Sequence, residues 1–243
     1  MQKILSIPLS AVYYLIFGMI LAVFHPVQWV CFNWFGYNAH KKSVDFLCFF
    51  IVANTYILGT TYKINGLHHL PKNKPVIVVS NHQSMYDITT IIWLMRQIHP
   101  KFISKIELGK GIPSISYNLN HGGSVLIKRD DAKQSITAIK KMGEYIETNK
   151  RSAVIFPEGT RSKDGKPQKF AENGLKILCR YAPSASVIPV TINNSWKLAK
   201  WGAFPMGLGS KVSLTIHQPI PVKDTPFQGL FQQAEQAVTE SIV

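Results

Sequence analysis

The stretch Ser80-Asn81-His82-Gln83-Ser84-Met85-Tyr86-Asp87 is the one from which the rest of the chain can be read. It follows Val76-Ile77-Val78-Val79, an apolar run too short for an ordinary helix and preceded by Pro75, which predicts a buried strand. After Asp87, the run Ile88 to Arg96 fits a buried helix. His82 and Asp87 therefore straddle a strand-to-helix junction, where α/β proteins tend to carry their chemistry. Positions five apart on an ideal helix are about 140° apart. The two side chains would diverge if 82–87 were helical throughout. They meet if His82 ends the strand and Asp87 lies in the first helical turn. An imidazole oriented by a carboxylate is a general-base arrangement. A loop histidine beside a helix-capping aspartate is the competing reading, and the octet by itself leaves the two level.

Charge narrows the partners. The 243 residues carry 27 Lys/Arg against 13 Asp/Glu, a net of +14. Residues 1–62 contribute only Lys3, Lys41, Lys42 and Asp45, whereas 101–180 hold sixteen Lys/Arg and eight Asp/Glu, a net of +8. A basic surface of this kind suits an anionic partner such as phospholipid, nucleic acid or a phosphorylated substrate. Cys31, Cys48 and Cys179 show neither a paired framework nor metal-ligand spacing, which fits a reducing compartment.

Ile4 to Phe24 is a run of 21 residues without a charge, long enough to cross a hydrocarbon core of about 30 Å. A signal peptide is the rival reading, but the run is long for one and no small-residue cleavage site follows. Aromatic residues crowd the connector at Trp29, Phe32, Trp34, Phe35 and Tyr37, and Lys41-Lys42 precedes a second apolar run, Val44 to Thr60. The expectation is a two-helix membrane anchor over 1–61, either spanning as a hairpin or embedded in one leaflet. Both topologies put the following domain on the same side, at the cytoplasmic face of the inner membrane. Two core helices of a soluble protein remain the alternative.

From residue 62 to 243 the texture is that of a single α/β domain. Strands are predicted at 76–80, 101–105, 124–128, 153–156, 187–192 and 211–217, with a short one near Tyr62. Helices are predicted at 88–97, 131–150 and 171–181, with a polar one at the carboxyl end. This alternation predicts a mostly parallel central sheet flanked by helices. Four segments fall near strand ends: Asn81 to Asp87; Lys105 with Arg129; Phe156-Pro157-Glu158-Gly159-Thr160-Arg161-Ser162; and Val187 to Ile192 around Pro189. Strand-end loops on one edge of a parallel sheet converge on a cleft. A base, a carboxylate and several cations in one cleft can deprotonate a hydroxyl while holding a phosphate that positions it.

Asn81-His82-Gln83-Ser84-Met85-Tyr86-Asp87, followed about seventy residues later by Phe156-Pro157-Glu158-Gly159-Thr160-Arg161-Ser162, closely resembles the glycerolipid acyltransferases that acylate 1-acylglycerol-3-phosphate (lysophosphatidic acid). Gly122 to Arg129 and Val187-Ile188-Pro189-Val190 look like the family's two other blocks, so the resemblance spans roughly residues 60–220. It implies that His82 is the general base and Asp87 its orienting partner. It implies that Arg161 contacts the acceptor phosphate, with Lys105 and Arg129 as further phosphate ligands. Asn81, Glu158, Gly159 and Thr160 would shape the acceptor site, Glu158 by orienting Arg161 or a glycerol hydroxyl. Pro189 would shape the acyl tunnel or the sheet edge. The implied donor is acyl-CoA or acyl carrier protein as a substrate, with no resident cofactor or metal. No serine or cysteine nucleophile is required, and Ser84 lacks the surroundings of a nucleophile elbow.

Two rivals stay open at this point. One keeps the chemistry but changes the acceptor to a lyso-ornithine lipid, another lysophospholipid or glycerol-3-phosphate. The other is a non-catalytic basic protein of the membrane surface. Nucleic-acid binding is disfavoured, because no such module is present and the apolar amino terminus would hold the chain at lipid.

Overall fold

Parallel pairing dominates the sheet because most of its strands are joined through helices. The computed structural model describes residues 1–128 and 130–243. The strands are β1 (Thr61–Asn65), β2 (Val76–Ser80), β3 (Pro100–Lys105), β4 (Val125–Ile127), β5 (Ser152–Ile155), β6 (Ser186–Asn193), β7 (Lys211–Ile216) and β8 (Ile220–Pro221). Their order is β1-β7-β6-β2-β5-β3-β4, with β8 beside β6. Pairings of β6 with β7 and with β8 are antiparallel, and the other five are parallel. The predicted strands are present to within a residue or two. β8 was not anticipated, since two residues carry no periodicity.

The helices are α1 (Gln2–Asn54), α2 (Tyr86–Leu94), α3 (Ile115–His121), α4 (Ala132–Asn149), α5 (Glu172–Tyr181) and α6 (Phe227–Thr239). β2 is buried along its whole length, and its alternate residues serve two cores. Val76 and Val78 pack with α1 and α2, whereas Ile77 and Val79 pack with α4, α5 and α6. Both faces of a central parallel strand are covered in this way, which explains why β2 reads as an unbroken apolar run. The terminal helix α6 is not wholly polar, because Leu230, Phe231, Ala234 and Val238 bury one face of it in the second core.

The amino terminus departs from expectation. In place of two separate helices with a connector there is one helical element, α1, whose backbone is non-helical at Gly36 (φ 75°, ψ −169°). A left-handed φ suits glycine, which has no Cβ to clash. Beyond this break the chain turns back on itself: Asn54 Nδ2 donates to the Tyr13 carbonyl at 2.9 Å, and the Phe24 and Phe50 rings lie 5.8 Å apart. Within the aromatic connector, which is helical up to Gly36, Phe32 packs onto α3, its ring 5.0 Å from that of His121. One side of α1 joins the core through Tyr13, Leu21, Leu47, Cys48 and Ile51. Its other side exposes Leu5, Val12, Leu15, Met19, Val23, Trp29, Trp34, Phe35 and Phe46. By length and composition it is the one helix among the described residues able to cross a membrane.

Pro189 lies neither at a sheet edge nor at a strand end. It is buried within β6, opposite Val79. β7 pairs with residues 190–193 of β6 and β8 with 186–187, so Pro189 falls in the gap between the two antiparallel partners. A residue without an N–H is tolerated where the ladder is interrupted.

Candidate active site

β2 ends at Ser80, and a loop carrying His82 leads to α2, which begins at Tyr86. Asp87 is then the second residue of α2, two residues inside a helix that starts earlier than its apolar run suggests. The strand-end and first-turn placement brings the side chains together: His82 Nδ1 lies 2.9 Å from Asp87 Oδ2. The Asp87 side chain is fully buried, while that of His82 is 15 % exposed. Asp87 does not cap α2; it holds the loop that precedes the helix together with the imidazole. Asp87 Oδ2 also accepts the backbone N–H of Gln83 at 2.7 Å and of Ser84 at 2.8 Å. Its Oδ1 accepts from Ser195 Oγ at 2.5 Å. A carboxylate surrounded by donors requires the proton on His82 Nδ1, which leaves Nε2 with its lone pair available to take a proton.

Other contacts hold the imidazole and its loop. The His82 ring stacks on Phe156 at 4.0 Å between centroids, with 14° between planes. The Glu158 carboxylate bridges two loops, accepting His82 N–H at 2.7 Å through Oε1 and Gln168 N–H at 2.9 Å through Oε2. Burial pushes its carboxyl upward, and these two backbone N–H donors pull the other way. Glu158 thus staples the β5 loop to the β2 loop and makes no ion pair with Arg161 among the described residues, which corrects the expectation that it orients that cation. Ser162 N–H donates to the His82 carbonyl at 2.8 Å and closes the same seam. Asn81 is buried and pairs twice with the Ile192 backbone, donating to its carbonyl at 2.8 Å and accepting its N–H at 2.7 Å. Gly159 turns the motif loop at φ 69°, and Thr160 beside it is exposed.

The expected cations are placed less completely. Arg161 is exposed on the motif loop, without a hydrogen-bond or ion-pair partner among the described residues. Lys105 is exposed at the end of β3, opposite Ile127 of β4. Arg129 lies outside the described residues. The ends of β2, β3 and β5 all open on the same edge of the sheet, as parallel pairing requires.

Ser195 and Gln83 escaped the reading of the sequence. Ser195 follows β6 in a 3-10 turn, and its N–H also donates to Gln83 Oε1 at 3.2 Å. A buried serine just after a strand beside β2 was the available signal, but it points to Asp87 only once the strand order is known. Ser195→Ala is expected to lower the free energy of unfolding by about 1.5–3 kcal/mol, the net contribution of a hydrogen bond to a charged group, as read from a denaturant melt.

A model of the family described as Acyltransferase matches residues 61–193. The chain belongs to the Acyltransferase family. This acyltransferase is 32% identical over 175 residues to the 1-acyl-sn-glycerol-3-phosphate acyltransferase of Helicobacter pylori, covering 70% of the present chain and 68% of that protein. It is 35% identical over 162 residues to a chloroplastic protein of the same name from Arabidopsis thaliana, covering 65% of the chain and 44% of the relative. The acyltransferase spans roughly half the length of several such relatives. Its fold matches the crystal structure of the 1-acyl-sn-glycerophosphate acyltransferase from Thermotoga maritima with a TM-score of 0.81 at 25% identity, over 99% of this chain and 95% of that one.

Proposed function

We propose that the protein transfers a fatty acyl group from acyl-CoA or acyl carrier protein to the sn-2 hydroxyl of 1-acylglycerol-3-phosphate, giving phosphatidic acid. The observation that carries this reading is the His82–Asp87 pair, whose carboxylate is buried among four donors while the imidazole edge stays open. His82 Nε2 takes the proton of the acceptor hydroxyl as its oxygen attacks the thioester carbonyl. The tetrahedral intermediate then collapses, expels the thiolate and returns a proton to it from the imidazolium. Asp87 stabilises that imidazolium without taking its proton. Glu158, Asn81 and the turn at Gly159-Thr160 set the shape of the acceptor site, and Phe156 keeps the imidazole plane in position. Arg161, Lys105 and Arg129 hold the acceptor phosphate. The relatives named above support this substrate class.

Membrane association belongs to the same reading. The exposed apolar side of α1 supports an embedded hairpin from which a lipid acceptor reaches the site without crossing water. The catalytic domain then sits at the cytoplasmic face of the inner membrane.

The test is product analysis by mass spectrometry of purified protein given mixed acyl donors and a panel of lysolipids. Phosphatidic acid is the expected product. Turnover of a phosphate-free acceptor with lysophosphatidic acid inert would overturn the assignment. Arg161→Gln is expected to raise KM for lysophosphatidic acid about 10- to 100-fold with a smaller change in kcat, the equivalent of a charge-assisted hydrogen bond made in ground and transition states alike. Initial rates across acceptor concentration check this.

A further inference from the structure

The strand-start edge of the sheet, opposite the catalytic edge, carries cations that the proposed reaction does not use. Lys101, near the start of β3 and paired with Ala153 of β5, is 6% exposed. Its ammonium has no hydrogen-bond or ion-pair partner among the described residues. The Arg151 guanidinium, just before β5, stacks over the Tyr37 ring at 3.6 Å, and Lys101 Nζ is 5.0 Å from the same ring centroid. Lys41, one turn further along α1, donates to Asp45 at 2.5 Å and to the Arg96 carbonyl at 2.8 Å. The carboxylate of this cluster is therefore already engaged, and Lys101 and Arg151 are left without a counter-charge. Burial, then Arg151 and Lys41, push the Lys101 ammonium down to about 7, and Asp45 only partly opposes them. Lys41, Asp45, His99, Lys101, Asn118 and Ser124 enclose a space of about 10 Å³, room for a single oxygen-sized group.

We propose that this edge binds a phosphate group, one oxygen entering the space beside Lys101 and Lys41 and the others facing the Arg151 guanidinium, which shares the Tyr37 ring with Lys101. Phosphate offers the missing charge and several acceptors to a clustered ammonium and guanidinium. Trp34 and Phe35, each 69% exposed, lie beside Tyr37 at the bend of α1. Aromatic residues next to cations suit the headgroup level of a bilayer. The headgroup of an anionic phospholipid is therefore the favoured source of the phosphate, a preference that rests on the membrane reading above. Free phosphate is the other source.

Two binding measurements on the full chain test the site, the first in detergent and the second after detergent removal. Inorganic phosphate, against chloride at matched ionic strength, is expected to raise the thermal midpoint of the unmodified protein. The increment is expected to be clearly smaller in Lys101→Met and in Arg151→Gln, the remainder coming from the phosphate site proposed around Arg161. Co-sedimentation with phosphatidylcholine vesicles containing phosphatidylglycerol is expected to weaken about tenfold in Lys101→Met and in Arg151→Gln, with vesicles of phosphatidylcholine alone showing no difference. Arg151 is half-buried, so its variant keeps the test open if Lys101→Met fails to fold. A response to inorganic phosphate alone assigns free phosphate, and a vesicle response alone assigns the lipid headgroup. Identical behaviour of the unmodified protein and both variants toward both probes overturns the site. Neither assay reads acyl transfer, so failure of the proposed reaction leaves this test standing.

Discussion

His82→Ala is expected to lower acyl transfer to lysophosphatidic acid by about 10²- to 10⁴-fold, the range general-base catalysis contributes. The protein should still fold. Asp87 keeps its three other donors in this variant, from Gln83, Ser84 and Ser195. The His82 backbone N–H remains available to Glu158. What disappears is one hydrogen bond and the face-to-face contact with Phe156. Because the loss falls on proton transfer, it should appear in kcat with little change in KM for the acceptor. Initial rates with a labelled acyl donor, beside a circular dichroism melt, check both halves. Turnover within a few-fold of the unmodified enzyme, from a protein that melts normally, would remove His82 as the base.

Asp87 offers a pair of substitutions that separates structure from charge. Asp87→Ala strands the buried N–H groups of Gln83 and Ser84, the Ser195 hydroxyl and the imidazole. The expected cost is about 3–5 kcal/mol of stability, as for other broken buried pairs, together with loss of transfer. Asp87→Asn behaves differently because of where the donors converge. Three of them meet at the Oδ2 position, so the amide oxygen settles there and the amide nitrogen turns to Ser195 Oγ, which can accept. The imidazole keeps its proton on Nδ1, and only the negative charge is lost. Opposite charges about 4 Å apart at an effective dielectric of about 20 attract by about 4 kcal/mol, so kcat should fall by about 10³-fold with a nearly unchanged melt. If the asparagine variant melts as early as the alanine variant, the donor arrangement is not what secures the loop.

Legibility followed range along the chain. β2 was readable because a strand buried on both faces must be apolar at every position, and Val76 to Val79 is. α4 was readable because one face of Ala132–Asn149 repeats Ile139, Met142 and Ile146 at helical spacing. The start of α2 was placed too late because Tyr86 and Asp87 precede the apolar run. Tyr86 is buried against Tyr13 of α1, whose ring is 6.0 Å away, and that contact is invisible before α1 folds back. The backbone partners of Glu158 were hidden for a similar reason. Proximity in sequence ties it to Arg161, but its oxygens meet the backbone of His82, 76 positions earlier, and of Gln168.

The sequence by itself determined the α/β class, the strand-end position of the His82–Asp87 pair and the apolar character of the amino terminus. Each is expressed in residue types over a window of a few turns or one strand. Tertiary structure decided what those features touch. It folded α1 back at Gly36 and laid one side of it into the sheet's own core. It placed β6 beside β2, which brings Ser195 across 108 positions to Asp87. It also gathered Tyr37, Lys101 and Arg151 at the far edge of the sheet. The order of strands depends on which apolar faces bury each other best, and that competition is settled only by the whole chain at once.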